Sequence, residues 1–176
     1  MTSTYRPPRL LKPADDLGDF ICRSSEQTTW LRRHGHQSAS TGTTKVFVVV
    51  SGNASDDMER VVAFYAWCMA HLEIEDAPTR LRKGSGRYPQ PVALLARLGV
   101  DTKHEGNGLG AGLLVDVITR VVTMSESIGC RGLLIHAEDA NARSFYRHLI
   151  PELSESPTDP LHLVLLLKDA RKTLLG

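Results

Sequence analysis

Long apolar runs in this 176-residue chain are separated by polar, glycine-rich or proline-containing segments, and their lengths predict buried β-strands. The clearest three runs cover residues 45–51, 60–70 and 92–100, and shorter ones cover residues 133–137 and 161–168. Because only the turn-like segment 51–57 separates the first two runs, they are predicted to pair as an antiparallel hairpin.

Helical spacing of apolar residues predicts the remaining elements. From Leu109 onward apolar positions recur every three or four residues, and Gly129 closes that pattern as a C-terminal glycine would. Weaker patterns predict helices at residues 15–20, at 25–34 with Ser25 as N-cap and Gly35 as terminator, and at 141–149. Residues 37–44 and 79–87 are predicted to be loops. Residues 1–13, with three of the nine prolines, are predicted to form an extended N-terminal arm before the first packed element.

The order of these elements predicts an α/β architecture. A strand, a glycine-rich turn, a helix and a strand over residues 92–137 form a β-α-β unit, for which a right-handed parallel crossover is expected. The antiparallel hairpin precedes this unit, so the sheet is predicted to be mixed. The length fits a single domain covering residues 1–176, and 41% hydrophobic residues suffice for one core.

Composition narrows the function classes. A formal net charge of +1 excludes a uniformly basic surface, so nucleic-acid binding would need a local patch. The three cysteines, Cys22, Cys68 and Cys130, lie far apart, which fits neither a disulfide framework nor a zinc site, and no histidine spacing indicates a metal. Because neither a signal peptide nor a membrane-spanning apolar run is present, we expect a cytoplasmic protein.

The segment 105–112 (EGNGLGAG) is the strongest functional signal, because glycines alternate where a strand ends and a helix begins. Glycine lets the backbone approach a ligand closely, and the first N–H groups of a helix have no intrahelical partner. A pyrophosphate would gain both these hydrogen bonds and the positive end of the helix dipole. The segment therefore predicts an anion site.

Three other interpretations of the glycines compete. A P-loop needs Lys followed by Ser or Thr after its last glycine, whereas Gly110 is followed by Ala111 and Gly112. A Rossmann site needs G-x-G-x-x-G early in a doubly wound fold, whereas G-x-G-x-G occurs here after antiparallel strands. A purely structural strand-to-helix joint stays open on the glycines alone.

Two segments resemble the GNAT N-acetyltransferases. Residues 96–114 resemble motif A, with Glu105, Gly108 and Gly110 at the three fixed places of R/Q-x-x-G-x-G/A, and residues 142–146 (ARSFY) resemble the later F-Y motif. The resemblance implies a mostly antiparallel mixed sheet flanked by helices and acetyl-CoA as co-substrate, whereas the absence of a metal is expected from the histidine spacing alone. It implies that acetyl-CoA binds to Leu98, Gly99, Val100, Glu105, Gly106, Asn107, Gly108, Leu109, Gly110, Ala111, Asn141 and Phe145.

Residues 9–170 resemble, more narrowly, the GNAT toxins of bacterial toxin–antitoxin pairs. The similarity lies in segments 29–31 (TWL), 81–84 (LRKG), 97–101 (RLGVD), 136–139 (HAED) and 156–161 (SPTDPL). It implies acetylation of the free α-amine of aminoacyl-tRNA, which blocks translation, and neutralisation by a DNA-binding ribbon-helix-helix antitoxin. It also suggests a homodimer, to which apolar residues exposed around 161–167 would contribute.

Acetyl transfer needs a neutral amine and a proton for the departing thiolate. The resemblance implies that Tyr146 supplies that proton. A tyrosine with its reference pKa of about 10 can protonate a thiolate whose conjugate acid has a pKa of about 8.5. An α-amine beside an ester is partly neutral already, so a strong base is unnecessary; the candidates are Glu73, Glu75 and His136.

Positive residues that could contact tRNA phosphates form two groups in the sequence. Arg97 is a separate case, because a charge inside an apolar strand must find a partner or an open face. Charges on loops usually belong to solvated surface and do not by themselves indicate RNA binding. An ordinary GNAT enzyme acting on a small amine or a protein amine therefore stays an alternative. A binding protein with a degenerate cofactor site is a second alternative. The predicted tRNA contacts are Arg80, Arg82, Lys83, Arg87 and Arg97, and the second group is Arg32, Arg33, His34 and His36.

Overall fold

The structure is a computed structural model that describes residues 4–52, 59–84 and 86–175. Eight strands and five α-helices occur in these residues. The strands are β1 (Thr4–Tyr5), β2 (Arg9–Leu10), β3 (Lys45–Gly52), β4 (Arg60–Leu72), β5 (Gln90–Val100), β6 (Gly132–His136), β7 (Ser154–Glu155) and β8 (His162–Leu166). The helices are α1 (Ser25–Thr41), α2 (Thr79–Arg82), α3 (Leu109–Ser125), α4 (Ala140–Leu149) and α5 (Leu167–Leu175).

The strands form one sheet in the order β1-β3-β4-β5-β6-β8-β7, with β2 also paired to β3. β3 and β4 are antiparallel, which confirms the predicted hairpin; most of its predicted turn, residues 53–57, lies outside the described residues. β5 and β6 are parallel and α3 connects them, which confirms the β-α-β unit. β6 and β8 are again antiparallel, so the predicted mixed sheet is confirmed.

The chain divides into two compact units, which we describe separately. The first unit contains Met1–Trp67 and Arg97–Leu114. Its core packs α1 against the sheet, with Leu31 of the helix and Phe64 of β4 fully buried. The predicted N-terminal arm is extended, but it is itself packed, because β1 and β2 both pair with β3.

Helix α1 is longer than predicted. Its N-cap is Ser24 and not Ser25, since the Ser24 hydroxyl accepts a hydrogen bond from the Gln27 amide at 3.1 Å. Gly35 does not end it: the position is buried, and a Cβ there would lie 3.1 Å from Leu31 Cδ1. A helical glycine costs about 1 kcal/mol relative to alanine, and close packing offsets that cost here. The helix ends at Gly42, whose φ is 75°, so most of the predicted loop 37–44 is helical.

The predicted helix at residues 15–20 is wrong. Both Asp15 and Asp16 use their carboxylates to bind backbone N–H groups, Asp15 that of Lys12 at 2.7 Å and Asp16 that of Gly18 at 2.8 Å. Such local side-chain hydrogen bonds stabilise turns at the expense of a helix. Arg9 adds two hydrogen bonds to Asp15, each 2.8 Å long, and with the Lys12 amide lowers the pKa of that carboxyl.

The second unit contains Cys68–Ala96 and Val115–Gly176. β5, β6, β8 and β7 lie side by side in it. Val92 of β5, Leu134 of β6, and Val164 and Leu166 of β8 belong to its core, together with Leu72, Ala77 and Leu81. The predicted loop 79–87 begins with the single-turn helix α2, and α3 ends at Ser125, four residues before Gly129. Among the described residues, no helix has both the length and the apolar character needed to cross a membrane.

Two predictions for the C-terminal part are corrected. The predicted strand 161–168 is shorter, since α5 begins at Leu167, and this helix was not predicted. The apolar side chains of β8 are also buried, Leu163, Val164 and Leu165 completely, because β8 lies between β6 and β7. They are therefore not an exposed surface to which a second subunit could bind.

Candidate functional site

The glycine turn has the geometry of an anion cradle. Gly106 and Gly108 adopt positive φ values of 79° and 75°, which side chains other than hydrogen rarely tolerate. A Cβ at either position would meet nothing within 4 Å, so the space above this backbone is open. The Gly112 amide donates to the Gly108 carbonyl at 3.0 Å and so begins α3, whose first residues are Leu109, Gly110 and Ala111.

Asn107 fixes the conformation of this turn. Its side-chain amide donates to the carbonyls of His104 at 3.0 Å and Glu105 at 3.3 Å. Both carbonyls precede the turn, so the contact folds the loop back on itself. The backbone N–H groups after Asn107 are those at the start of α3. A phosphate would find hydrogen-bond donors and the positive end of the α3 dipole at this place.

The strand before the turn needs glycine at position 99 for packing. A Cβ on Gly99 would lie 2.9 Å from Phe64 Cε1 and 3.2 Å from Cys22 Sγ. Leu98 and Val100 alternate with it along β5 and are partly exposed. Gly99 therefore brings the β5 backbone close to Phe64, whereas its neighbours present side chains on the opposite face.

Glu105 is not an isolated carboxylate beside the cradle. Arg23 Nε lies 2.9 Å from Glu105 Oε1 and donates to Oε2 at 3.1 Å. The two residues are 82 positions apart in the chain, and nothing in the sequence pattern pairs them. Sequence reasoning missed Arg23, although the acidic residue at a motif position that usually carries Arg or Gln was a signal to search for a compensating cation.

Arg97 reaches a partner, as predicted for a charge inside an apolar strand. Its Nη1 donates to the Glu26 carboxylate at 3.4 Å and to the Gln27 side-chain oxygen at 3.3 Å. Its guanidinium carbon also lies 5.0 Å from the centre of the Trp30 ring. These contacts place Arg97 against the first two turns of α1. Its predicted contact with tRNA stays a prediction.

Tyr146 lies on α4, in the second unit. Asp139 begins this helix as N-cap, accepting from the Ala142 amide at 2.8 Å, so this side chain serves the backbone. Asn141 in the first turn is exposed, and the partly exposed Phe145 ring packs edge-to-face on Tyr146 at 5.4 Å.

The expectation of an ordinary pKa for Tyr146 is wrong. Its side chain is only 6% exposed. Burial, together with the negative charge of Glu138, raises the pKa of the phenol far above its usual value. The hydroxyl therefore keeps its proton over the whole physiological pH range.

Of the three candidate bases, only His136 has a distinctive environment. Its ring stacks on His162 with centres 3.9 Å apart, and His162 lies 3.4 Å from Asp159. Partial burial and the neighbouring His162 lower the pKa of His136, so the neutral, proton-accepting form dominates at pH 7. His136, Glu73 and Glu75 all have exposed side chains, and the stacked His162 ring is what sets His136 apart.

The predicted tRNA contacts in α2 and in the loop after it differ in what they bind. Arg80 donates to both carboxylate oxygens of the buried Asp169, at 2.7 and 3.2 Å, and Arg82 donates to the carbonyls of Ala77 and Glu75. The guanidinium groups of these two arginines therefore bind protein groups and stabilise the conformation of this segment. Lys83 and Arg87 are exposed, and next to them Tyr88 is 79% exposed, a residue that the charge pattern alone did not single out.

The second basic group lies on α1. Arg32, Arg33 and His34 are exposed, whereas His36 contacts the Asp15 carbonyl through Nε2 at 2.9 Å and is part of the packing. Cys22, Cys68 and Cys130 are free thiols. Within residues 4–52, 59–84 and 86–175, no three His, Cys, Asp or Glu side chains cluster in a way that could hold a metal ion.

Comparison with known proteins gives a consistent result, although no family model matches the sequence. The chain is 42% identical over 174 residues, 99% of both chains, to a tRNA-acetylating toxin of Mycobacterium tuberculosis (strain ATCC 25618 / H37Rv). Its fold matches AtaT complexed with acetyl-methionyl-tRNAfMet, with a TM-score of 0.85 and 20% identity over 98% of this chain and all of the other. It also matches a tyrosine-to-phenylalanine variant of AtaT bound to acetyl-CoA and the C-terminus of the antitoxin AtaR, with a TM-score of 0.79 and 19% identity over 98% and 99% of the chains.

Proposed function

The chain belongs to the GNAT-type tRNA-acetylating toxins of toxin–antitoxin systems, and we propose that it transfers the acetyl group of acetyl-CoA to the α-amine of aminoacyl-tRNA. The reaction would remove the amine on which peptide-bond formation depends, and so inhibit translation. The observation that carries the proposal is the 42% identity over 99% of both chains. The open glycine turn is a second, physical support.

The glycine turn fits the diphosphate of acetyl-CoA. Gly106 and Gly108 leave free space where any other residue would place a Cβ, and the N-terminus of α3 offers N–H groups that favour negative charge. We assign the diphosphate to residues 105–111 and the pantetheine arm to the β5 backbone at Leu98, Gly99 and Val100. Asn141 and Phe145 on α4 complete the predicted set of contacts.

When bound, acetyl-CoA supplies a thioester carbonyl. The neutral α-amine attacks that carbon, a C–N bond forms, the C–S bond breaks, and the amine loses one proton. Tyr146 gives the phenolic proton to the thiolate and regains one from water. Because its raised pKa makes Tyr146 a weak acid toward water, donation requires the thiolate charge to develop close to the hydroxyl, where the surroundings solvate that charge poorly.

The amine proton does not need a strong base. Aminoacyl esters have α-amines less basic than the reference α-amino pKa of about 7.7 to 8.0, so a neutral fraction exists at pH 7. His136, kept neutral beside His162, is the candidate acceptor with the most suitable environment. We propose it ahead of Glu73 and Glu75 because, of these three exposed candidates, it is the one with an aromatic ring stacked on it.

For tRNA we propose the basic loop at residues 80–88. Lys83 and Arg87 are exposed and can bind phosphates, and the exposed Tyr88 ring can stack on an unpaired base. The loop borders a cavity whose lining includes four cations, Arg80, Lys83, Arg131 and Lys168. Asp169 neutralises only one of them, through Arg80.

The partners and the cellular place follow from the same family membership. We propose a ribbon-helix-helix antitoxin that binds DNA in complex with the toxin, and action in the cytoplasm, where charged tRNA is found. The homodimer also stays a proposal, and its interface must use residues other than the buried side chains of β8. Light scattering of the purified chain would measure the oligomer directly.

The proposed activity can be tested with acetyl-CoA and total charged tRNA. We expect acetylated aminoacyl ends, detected by mass spectrometry after hydrolysis of the ester. Uncharged tRNA is the control for the α-amine requirement. If charged tRNA stays unmodified while a small amine or a protein amine is acetylated, the toxin assignment is wrong and the ordinary GNAT alternative holds.

A further inference from the structure

The ion pair between Arg23 and Glu105 joins the loop before α1 to the start of the glycine turn. We infer that Glu105 holds Arg23 as a phosphate-binding arginine, so that the cation of the diphosphate site comes from residue 23 and not from the turn itself. This inference rests on the proposed use of acetyl-CoA. It assigns a substrate-binding role to Arg23, which the sequence pattern did not indicate.

The backbone on both sides of Arg23 is fixed against the cofactor strand. Cys22 forms a β-bridge with Asp101, directly after β5, and a Cβ on Gly99 would lie 3.2 Å from the Cys22 sulfur. The Ile21 carbonyl accepts from the Thr102 amide at 2.9 Å. On the other side, Ser24 is the N-cap of α1. The position of residue 23 beside the end of β5 is therefore set by the fold, and only its side chain can move.

The guanidinium retains hydrogen-bonding capacity for a ligand. Both contacts to Glu105 use Nε alone, and in the described residues neither Nη1 nor Nη2 has a hydrogen-bond partner. The arginine side chain is also 84% exposed. An ion pair this exposed adds little to folding stability, so stability does not explain why the two groups meet. Two free Nη groups match two phosphate oxygens in a bidentate contact.

The charge balance explains why an acidic residue is tolerated beside an anion site. An unpaired carboxylate at Glu105, adjacent to Gly106, would repel a diphosphate. With Arg23 attached, the pair is neutral overall and presents its positive side outward, so attraction replaces repulsion at short range. Removing Arg23 alone should therefore be worse for binding than removing both residues.

The experiment measures CoA binding to the full chain by calorimetry at low ionic strength. We expect Arg23→Ala to weaken CoA binding about tenfold, because solvent weakens a bidentate contact made by an exposed guanidinium. Adding Glu105→Gln to that variant should restore part of the affinity. Raising the salt concentration should shrink the difference between parent and Arg23→Ala, because exposed charges are screened.

Arg6→Ala is the matched control, because Arg6 Nε also lies 2.9 Å from a glutamate, Glu59, and Arg6 is similarly exposed at 65%. It should bind CoA as the parent does. Parental affinity in Arg23→Ala, or a further loss on adding Glu105→Gln, would overturn the inference. If the parent itself fails to bind CoA, the proposed function fails with it, so the two failures are distinguishable.

Discussion

The glycine turn and helix α4 would serve the same reaction by opposite means. In the turn the backbone would act, because positive φ at Gly106 and Gly108 leaves an open space that no side chain fills. In α4 one side chain would act, and its properties come from its surroundings, since burial and Glu138 raise the pKa of Tyr146. A backbone site is damaged by adding atoms, whereas a side-chain site is damaged by removing them.

The largest expected effect is on the α4 side of this comparison. Tyr146→Phe removes one oxygen from a buried ring and should lower turnover at least about a hundredfold, the usual contribution of a general acid. Acetyl-CoA affinity and thermal stability should stay close to those of the parent. Rates on charged tRNA and calorimetric CoA binding measure both quantities. Parental turnover would show that Tyr146 only packs beside Phe145.

The opposite change tests the turn. Gly108→Ala adds one methyl group at φ 75° and should weaken acetyl-CoA binding about tenfold, with kcat at saturation little changed. Gly42→Ala is the control. Gly42, at the C-terminus of α1, has the same φ of 75° and equally open surroundings. Both variants should lose about 1–2 kcal/mol of stability, but only Gly108→Ala should lose affinity. If Gly108→Ala and Gly42→Ala bind acetyl-CoA equally tightly, the glycine turn is not part of the binding site.

A smaller effect is expected for residues outside the glycine turn and α4 that are proposed to contact tRNA. Lys83→Ala combined with Arg87→Ala should raise KM for charged tRNA about fivefold, with acetyl-CoA affinity and kcat unchanged. The dependence of log affinity on log salt should become shallower by about 0.7 to 0.9 for each lost phosphate contact. Arg171→Ala with Lys172→Ala removes the same charge from exposed positions of α5 and is the control. A similar rise of KM in the control would indicate that tRNA binding depends on the net charge of the protein and not on a defined contact with Lys83 and Arg87.

The strands and the turn were predictable from sequence because their signals are local. Apolar runs of fixed length predicted β3, β4, β5 and β6, and alternating glycines at a strand end predicted the anion cradle. Gly106 and Gly108 adopt positive φ, a conformation that glycine alone adopts easily, whereas binding of an anion at this turn stays a prediction.

The helices were less predictable because distant contacts decided them. Gly35 reads as a helix terminator, yet it lies inside α1, where its missing side chain lets Leu31 and Leu17 pack closely. α5 was hidden because its first residue, Leu167, continues the apolar run of β8. Its anchor is the buried Asp169, whose partner Arg80 lies 89 residues earlier.

The candidate site shows the same division between local and distant information. Tyr146 and the glycine turn were predicted from motifs, but the raised pKa of Tyr146 depends on burial that no short pattern encodes. Arg23 was not found, because its relation to Glu105 exists only after the chain has folded.

The contact between Gly99 and Phe64 limits how this strand can change in evolution or in the laboratory. A methyl group at position 99 would come within 2.9 Å of the Phe64 ring, so a larger residue there requires a smaller one at position 64. Substitutions at these two positions should therefore occur as compensating pairs among functional descendants. A library randomised at both positions together should recover folded variants that two single-position libraries would miss.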